Sequence, residues 1–458
     1  MQSDTIAAIS TGMTNAGIGK IRLSGDDAVA IADRIYRSPG GRKKLSEVLT
    51  HTIHYGYIYD EEEMIDEVLV MVMRAPRTYT GEDTVEIDCH GGVCAMRRVL
   101  DTVLKHGAKT AEPGEFTKRA FLNGKLDLSQ AEAVIDVINS KNEFALKSSM
   151  SQLKGSVKRE IEKIRSSLIY HIAYIESALD DPEHISIDGY GEELKMTTTQ
   201  EKEKIYRLLS TVREGKMIRE GIQTVILGKP NAGKSSLLNL LIGENKAIVT
   251  DIAGTTRDVL EECITLSGIS LKIIDTAGIR DTEDLVEQIG VDKAKEMGKE
   301  ADLILYVVDS SVPLDENDEK IIEMMEGKQA IVLLNKTDLE SVVEEEELKV
   351  KTGHFVLPIS AKEETGIQDL VEKIKEMFFD GNITFNDEVY ITNVRQKEAL
   401  EEAYHSLELV EQSISMGMPE DFFSIDLMNA YEALGRILGE SVGEDLVNEI
   451  FSKFCTGK

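Results

Sequence analysis

The stretch Gly228-Lys229-Pro230-Asn231-Ala232-Gly233-Lys234-Ser235 constrains this chain more than any other. It follows a short apolar run, Thr224 to Leu227, and opens a second with helical spacing at Leu237, Leu238, Leu240 and Leu241. That strand–loop–helix setting is what a G-x-x-x-x-G-K-[ST] phosphate loop requires. Its glycines let successive backbone N–H groups curl around phosphate oxygens, and the helix N-terminus adds its positive dipole. Lys234 is expected to reach the outer phosphates and the Ser235 hydroxyl to bind Mg²⁺. A chain with this loop binds a nucleoside triphosphate.

Three further strand ends choose the base. Asp275-Thr276-Ala277-Gly278 follows Leu271 to Ile274, Asn335-Lys336-Thr337-Asp338 follows Ala330 to Leu334, and Ser360-Ala361-Lys362 follows Phe355 to Ile359. The Asp338 carboxylate can accept hydrogen bonds from N1–H and the 2-amino group of guanine. Adenine offers neither donor and would leave a buried charge unpaired. Alone, Asn-Lys-x-Asp is a weak signal; in order with the other motifs it points to GTP.

The candidate GTP set is Asn231, Ala232, Gly233, Lys234, Ser235 and Ser236; Thr250, Asp251, Ile252, Ala253, Gly254, Thr255 and Thr256; Asp275, Thr276, Ala277 and Gly278; and Asn335, Lys336, Asp338, Ser360, Ala361 and Lys362. In the loop from Thr250 to Asp258, a threonine can bind Mg²⁺ through its hydroxyl and touch the γ-phosphate through its N–H. Such a loop orders with triphosphate and relaxes after hydrolysis; Thr256 is the expected residue. Ras-like proteins carry a water-positioning Gln after D-x-x-G, but here the position is Ile279. Glu287 is the candidate that orients water in its place, although taken alone it reads as one more solvated glutamate. Arg257 and Arg280 are candidate fingers in cis.

Composition bounds the partners. Against 52 Lys and Arg stand 83 Asp and Glu, a net charge of −31. A large nucleic-acid footprint on this chain alone is therefore not expected, because phosphate contacts need clustered cations. Cys89, Cys94, Cys263 and Cys455 are too few and too scattered for a disulfide scaffold. With His90, Cys89 and Cys94 fall short of a tetrahedral zinc site. The start lacks a basic region followed by an apolar core, and no apolar run reaches membrane-spanning length. The expected location is cytoplasmic.

The 458 residues suit about three domains. The expected architecture is multidomain α+β and α/β. Residues 1–118 form an N-terminal α+β domain, with alternating runs at Glu67 to Met73 and Thr84 to Cys89 and helical patterns at Ala28 to Tyr36 and Cys94 to His106. Residues 119–220 and 381–458 are helical; one discontinuous α-helical bundle is preferred to two separate bundles, because an inserted domain leaves its host's termini close together. Val157, Ile161, Ile164, Leu168, Ile172, Ile175 and Leu179 mark its long amphipathic helix, which Asp181-Pro182 ends. Residues 221–380 form an inserted Ras-like P-loop domain with a doubly wound, mostly parallel sheet. The Glu344 to Glu347 run is expected to be a solvated loop.

With these pieces in place, the chain resembles the tRNA-modification GTPase family called MnmE or TrmE across essentially its whole length. The nucleotide motifs carry part of the likeness. Tyr79 to Asp83, Cys89 to Gly92, Pro113 to Thr117, Arg119 to Asp127 and the terminal Cys455-Thr456-Gly457-Lys458 carry the rest. The resemblance implies a homodimer whose N-terminal domains bind 5-formyl-tetrahydrofolate or a related tetrahydrofolate through Arg22, Glu82, Lys125 and Lys458. It implies K⁺ beside the γ-phosphate, held by Asn231, Thr250, Ile252 and Thr255, and it makes Glu287 catalytic alongside Lys234 and Thr256. It also implies a flavin-dependent partner with which an aminomethyl-type group is installed on C5 of the wobble uridine of certain tRNAs. Thr456 departs from the apolar residue the family usually has before Gly-Lys, which leaves no role assigned to Cys455. The competing classes are a ribosome-assembly GTPase, which would carry a basic RNA-binding appendage, and a regulatory switch GTPase, which would need partners to accelerate hydrolysis.

Overall fold

Strict alternation in one half of the chain and continuous apolar runs in the other produce two kinds of sheet. A computed structural model of the chain describes residues 4–186, 189–244, 262–274, 301–379, 389–455 and 457. It divides into two compact units. The first comprises Met1–Ile138, Met150–Lys204 and Ala399–Lys458; the second comprises Asn139–Ser149 and Ile205–Glu398.

The first unit holds a seven-stranded sheet built from β1 (Ile6–Ile9), β2 (Ile18–Ser24), β3 (Tyr36–Arg37), β4 (Thr52–Asp60), β5 (Glu63–Met73), β6 (Thr84–His90) and β7 (Lys109–Thr110). Their order is β3-β4-β5-β6-β2-β1-β7, antiparallel except for the β1–β7 pair. In β5, Val68, Val70 and Val72 are buried while Glu67 and Leu69 are exposed, so the pleat sends one set of side chains inward. Helices Ala28–Ile35 and Val93–Lys105 bury Ile31, Ile35, Met96, Val99 and Val103 in the same core. The expected helical patterns thus begin and end within a residue of these helices.

The expected long helix runs from Ser156 to Asp180, and Asp181 follows as its C-cap. Six of its seven expected core positions are buried, but Leu179 is 43% exposed and Ala178 is buried instead. At the last turn the stripe steps by three from Ile175, which keeps it facing the core as a 3.6-residue period drifts. Helix Glu420–Leu438 packs against it. Arg165 anchors the pair: its two terminal nitrogens donate to Glu440 Oε1 at 2.6 Å and Oε2 at 2.5 Å, and its guanidinium lies 4.1 Å from the Tyr431 ring centre. Helix Glu444–Ser452 brings Val447, Phe451 and Phe454 against Leu128, Ala131 and Val134.

The second unit holds a six-stranded sheet of β8 (Ile222–Leu227), β9 (Glu262–Leu266), β10 (Ile269–Ile273), β11 (Leu303–Asp309), β12 (Ala330–Asn335) and β13 (Phe355–Pro358). The order is β13-β12-β11-β8-β10-β9, parallel throughout except for the β9–β10 hairpin. Every residue of β11 and β12 is buried, as a sheet covered on both faces demands.

The unit boundaries fall at 138/139, 149/150, 204/205 and 398/399. Residues 139–149 join the second unit through side-chain contacts. Lys141 Nζ lies 3.2 Å from Cys263 Sγ, Asn142 Nδ2 donates to Ser270 Oγ at 2.8 Å, and the Phe144 ring covers Gly268. Side-chain contacts of this kind leave no periodic signal in a sequence.

One expectation is overturned. The acidic run at 344–347 is solvated but it is no loop: Glu345–Thr352 is a helix, with Glu345, Glu346 and Glu347 in its first turn. Carboxylates there complement the helix dipole, Lys349 pairs with Glu345 at 2.7 Å, and Leu348 is buried. Among the described residues, no helix is long and apolar enough to cross a membrane.

Candidate functional site

The phosphate loop leaves β8 at Leu227 and enters helix Lys234–Glu244. Its shape is enforced by close packing. A Cβ on Gly228 (φ +150°) would meet Val307 O at 2.4 Å, and one on Gly233 (φ +101°) would meet Asn335 Nδ2 at 2.1 Å. Asn231 adopts φ +61°, which its short polar side chain tolerates. Lys234 Nζ donates to Gly228 O at 2.7 Å and to Lys229 O at 2.6 Å. Burial lowers its pKa to about 8. Ser235 and Ser236 stand exposed on the first helical turn.

The loops after β12 and β13 converge beside it. Asn335, 1% exposed, donates through Nδ2 to Ala232 O at 2.8 Å and accepts at Oδ1 from Ala361 N at 3.0 Å. It therefore ties the phosphate loop to the Ser360–Lys362 turn. Asp338 accepts from Ser360 Oγ at 2.8 Å and lies 3.6 Å from Lys362 Nζ; the Ser360 hydrogen bond comes first among the causes that hold its carboxyl below the usual range. A carboxylate kept ionised in this way can receive two N–H donors from a guanine edge. Lys336, at φ +64°, reaches Asp309 Oδ2 at 2.5 Å. Four sequence-separated motifs were expected to meet, and the three that are described do. Thr250 to Thr256, Arg257, Asp275 to Gly278, Ile279, Arg280 and Glu287 lie outside the described residues.

A second cluster forms in the first unit. Arg22 on β2 donates from Nε to Glu86 Oε1 at 2.9 Å, and its guanidinium lies 5.6 Å from the ring centres of both Tyr79 and Phe116. Burial acts most strongly on Glu86 and opposes ionisation, but Lys20 at 2.5 Å and Arg22 together outweigh it and hold its carboxyl low. Glu82 accepts from Ser24 Oγ at 2.8 Å and from Arg119 at 3.1 Å. The tail arrives here as well. Gly457 (φ +94°) packs so closely that a Cβ would lie 2.4 Å from Ile9 O, and its carbonyl accepts from Ser10 Oγ at 3.1 Å and Arg22 at 3.4 Å. Lys125 Nζ donates to Pro76 O at 3.1 Å. Lys458 and Thr456 lie outside the described residues. Sequence reading missed Glu86 and gave Arg119 no role; the alternation of β6, with Glu86 directly opposite Arg22 in the register, is the signal that would have found the first.

Cys89 is buried, its thiol pushed up to about 12 chiefly by burial and donating to Gly19 O, while Cys94 is exposed. Among the described residues no group of His, Cys, Asp or Glu is arranged to hold a metal ion.

A P-loop sheet with Asn335, Asp338 and Ser360 hydrogen-bonded together beside the loop is the arrangement expected of a guanine-nucleotide-binding protein, and the comparisons refine that class. The model of the MnmE helical domain matches residues 128–455, and that of the GTP-binding protein TrmE N-terminus matches residues 5–125. A tRNA modification GTPase MnmE of Lachnoclostridium phytofermentans is 60% identical over 458 residues, covering 100% of both chains. Its counterpart in Clostridioides difficile is 48% identical over 99% of each chain, and that in Bacillus subtilis 47% over 99% of this chain and 100% of the relative. Among solved structures, the G domain of the T. maritima FeoB iron transporter is 27% identical over 34% of this chain and 97% of that chain, with a TM-score of 0.25. The chain belongs to the MnmE/TrmE family and is a GTPase.

Proposed function

We propose that this chain hydrolyses GTP to support modification at C5 of the wobble uridine of certain tRNAs, with a flavin-dependent partner protein and a formyl-tetrahydrofolate one-carbon donor. The observation that carries the reading is the end-to-end match to relatives named tRNA modification GTPase MnmE, at 60% identity over the full length. In this reading the chain is organised as an N-terminal folate-binding domain, a discontinuous helical bundle and an inserted GTPase domain, and it works in the cytoplasm.

The chain's own residues divide the labour. The loop Asn231 to Ser236 binds the phosphates, Lys234 and Ser235 with Thr256 take the outer phosphates and Mg²⁺, and Asp338 selects guanine. Asn231, Thr250, Ile252 and Thr255 hold K⁺, which supplies the positive charge that an arginine finger provides elsewhere, while Glu287 orients water. Arg22, Glu82, Lys125 and Lys458 bind the folate; the approach of Gly457 to Arg22 supports this placement of the tail. Exposed Ile53, Tyr55 and Leu69, side by side on β4 and β5, support pairing of two chains through this sheet. The charge of −31 favours binding tRNA through the partner complex rather than alone.

Nucleoside analysis of tRNA from cells lacking the chain should show loss of the C5 modification, restored by the intact gene product. Unchanged wobble uridines would overturn the reading and favour a ribosome-assembly or switch GTPase. Replacing K⁺ by Na⁺ should lower turnover of the purified chain by about 10³ or more, the scale of an arginine finger.

A further inference from the structure

Lys229 occupies a variable position of the phosphate-loop motif, yet its side chain is tethered at three points. Its Nζ lies 2.7 Å from Asp318 Oδ2, 3.1 Å from Asp315 Oδ2 and 3.4 Å from Pro313 O. Both aspartates are committed to the start of helix Glu316–Met325. Asp315 caps it by accepting from Asn317 N and Asp318 N, and Asp318 Oδ2 accepts in return from Asp315 N at 2.8 Å. The other oxygen of Asp318 accepts from the hydroxyl of Tyr306 on β11 at 2.7 Å, and both residues are 1% exposed or less. Burial opposes the Lys229 charge, but the hydrogen bonds it donates to Asp318 and Asp315 outweigh it and raise its pKa.

The other end of Lys229 is its carbonyl, which with that of Gly228 receives Lys234 Nζ. One residue therefore joins a rigid, buried acid–tyrosine pair to the peptide groups that place the phosphate-binding lysine. We propose that Lys229, Asp318 and Tyr306 form a latch that holds the phosphate loop in its binding shape, making Lys229 a positioning residue for GTP whose ammonium also neutralises two carboxylates beside a site for a polyanion. Without the latch, the loop must order as the nucleotide arrives, and that ordering weakens binding.

The inference rests on the reading of this loop as a GTP site, which wild-type binding tests separately; a wild-type chain that bound no GTP would sink that reading, not the latch geometry. Binding of guanosine, GDP and GTP to the full chain is to be measured by competition against a fluorescent guanine nucleotide. Lys229→Met should weaken GDP and GTP by about tenfold, the scale of one charge-assisted hydrogen bond, and guanosine by less than about twofold, because guanosine does not use the loop. Lys229→Arg should restore affinity to within about threefold. Asp318→Asn, which leaves the loop sequence intact, should weaken GTP in the same phosphate-dependent way by about three- to fivefold, and the double variant should bind no worse than Lys229→Met. Equal losses for guanosine and GTP would mean a general folding defect and overturn the latch. Tighter or unchanged GTP binding in Asp318→Asn would mean that Lys229 contacts phosphate directly, and would overturn it too.

Discussion

At the end of β8 the loop is shaped mostly through backbone groups, the Lys229 ion pair being the exception: glycine dihedrals, carbonyls that receive Lys234, and an Asn335 amide that bonds main chain on both sides. In the sheet of the first unit, the corner around Arg22 is shaped by side chains: Glu86, Glu82, Arg119, Ser24 and two aromatic rings, drawn from positions far apart in the chain. A backbone site depends on a few irreplaceable conformations and concentrates its residues in short motifs. A side-chain site depends on charge balance, so each member also supports the fold. The two should therefore fail differently when a charge is removed.

The largest effect should come from Lys234→Met, which removes the phosphate-reaching cation of the loop and should slow hydrolysis by about 10³ in single-turnover assays, given the worth of one preorganised donor or finger. The melting temperature should hardly fall, because burial already disfavours this charge. Asp338→Asn should weaken GTP by about 10² while letting xanthosine triphosphate bind, since an amide can donate to the 2-oxo group that replaces guanine's amine. Loss of both nucleotides without gain of xanthine would break the assignment of Asp338.

In the other region, Arg119→Met should cost the fold rather than the nucleotide site. Arg119 bridges Glu82 and Glu115, all with side chains less than a fifth exposed, so removing it should destabilise the first unit by about 3 kcal/mol in urea unfolding. GTP affinity should stay within about twofold; a parallel loss of GTP binding would break the comparison.

A pH titration sharpens it. Lys234 releases its proton near pH 8 when folded and near 10.5 when unfolded, so in that window the unfolded chain binds more protons and this group adds stability as pH rises. Phosphate favours the ammonium, so GTP affinity should fall over the same window, with proton uptake visible by calorimetry in buffers of different ionisation heat. Lys234→Arg should remove the trend. The smallest effect belongs to Glu345→Ala, a half-buried first-turn charge paired with Lys349, worth less than about 0.5 kcal/mol of stability.

Legibility followed the same division. The phosphate loop, the Asn335/Asp338 turn and the Ser360 turn were readable because each is contiguous and its chemistry requires particular residues at fixed spacing. Six of the seven core positions of helix Ser156–Asp180 were readable from period alone, and Leu179 failed only where that period drifted. Glu344 to Glu347 misled because a charged run says "solvent" without saying "helix" or "loop". Arg22, Glu82 and Lys125 were reached through family likeness, not through their own pattern.

By itself, then, the sequence determined a P-loop GTPase and singled out Asp338 as the carboxylate expected to select guanine, because those demands are local and the chain writes them in one place. Only the tertiary structure decided that Glu86 faces Arg22, that Gly457 returns to β1, that residues 139–149 pack on the β9–β10 hairpin, and that Lys229 is tied to Asp318 and Tyr306. Each of these joins residues separated along the chain, through hydrogen bonds and charges that have no period to read and that exist only once the sheets and helices have closed around them.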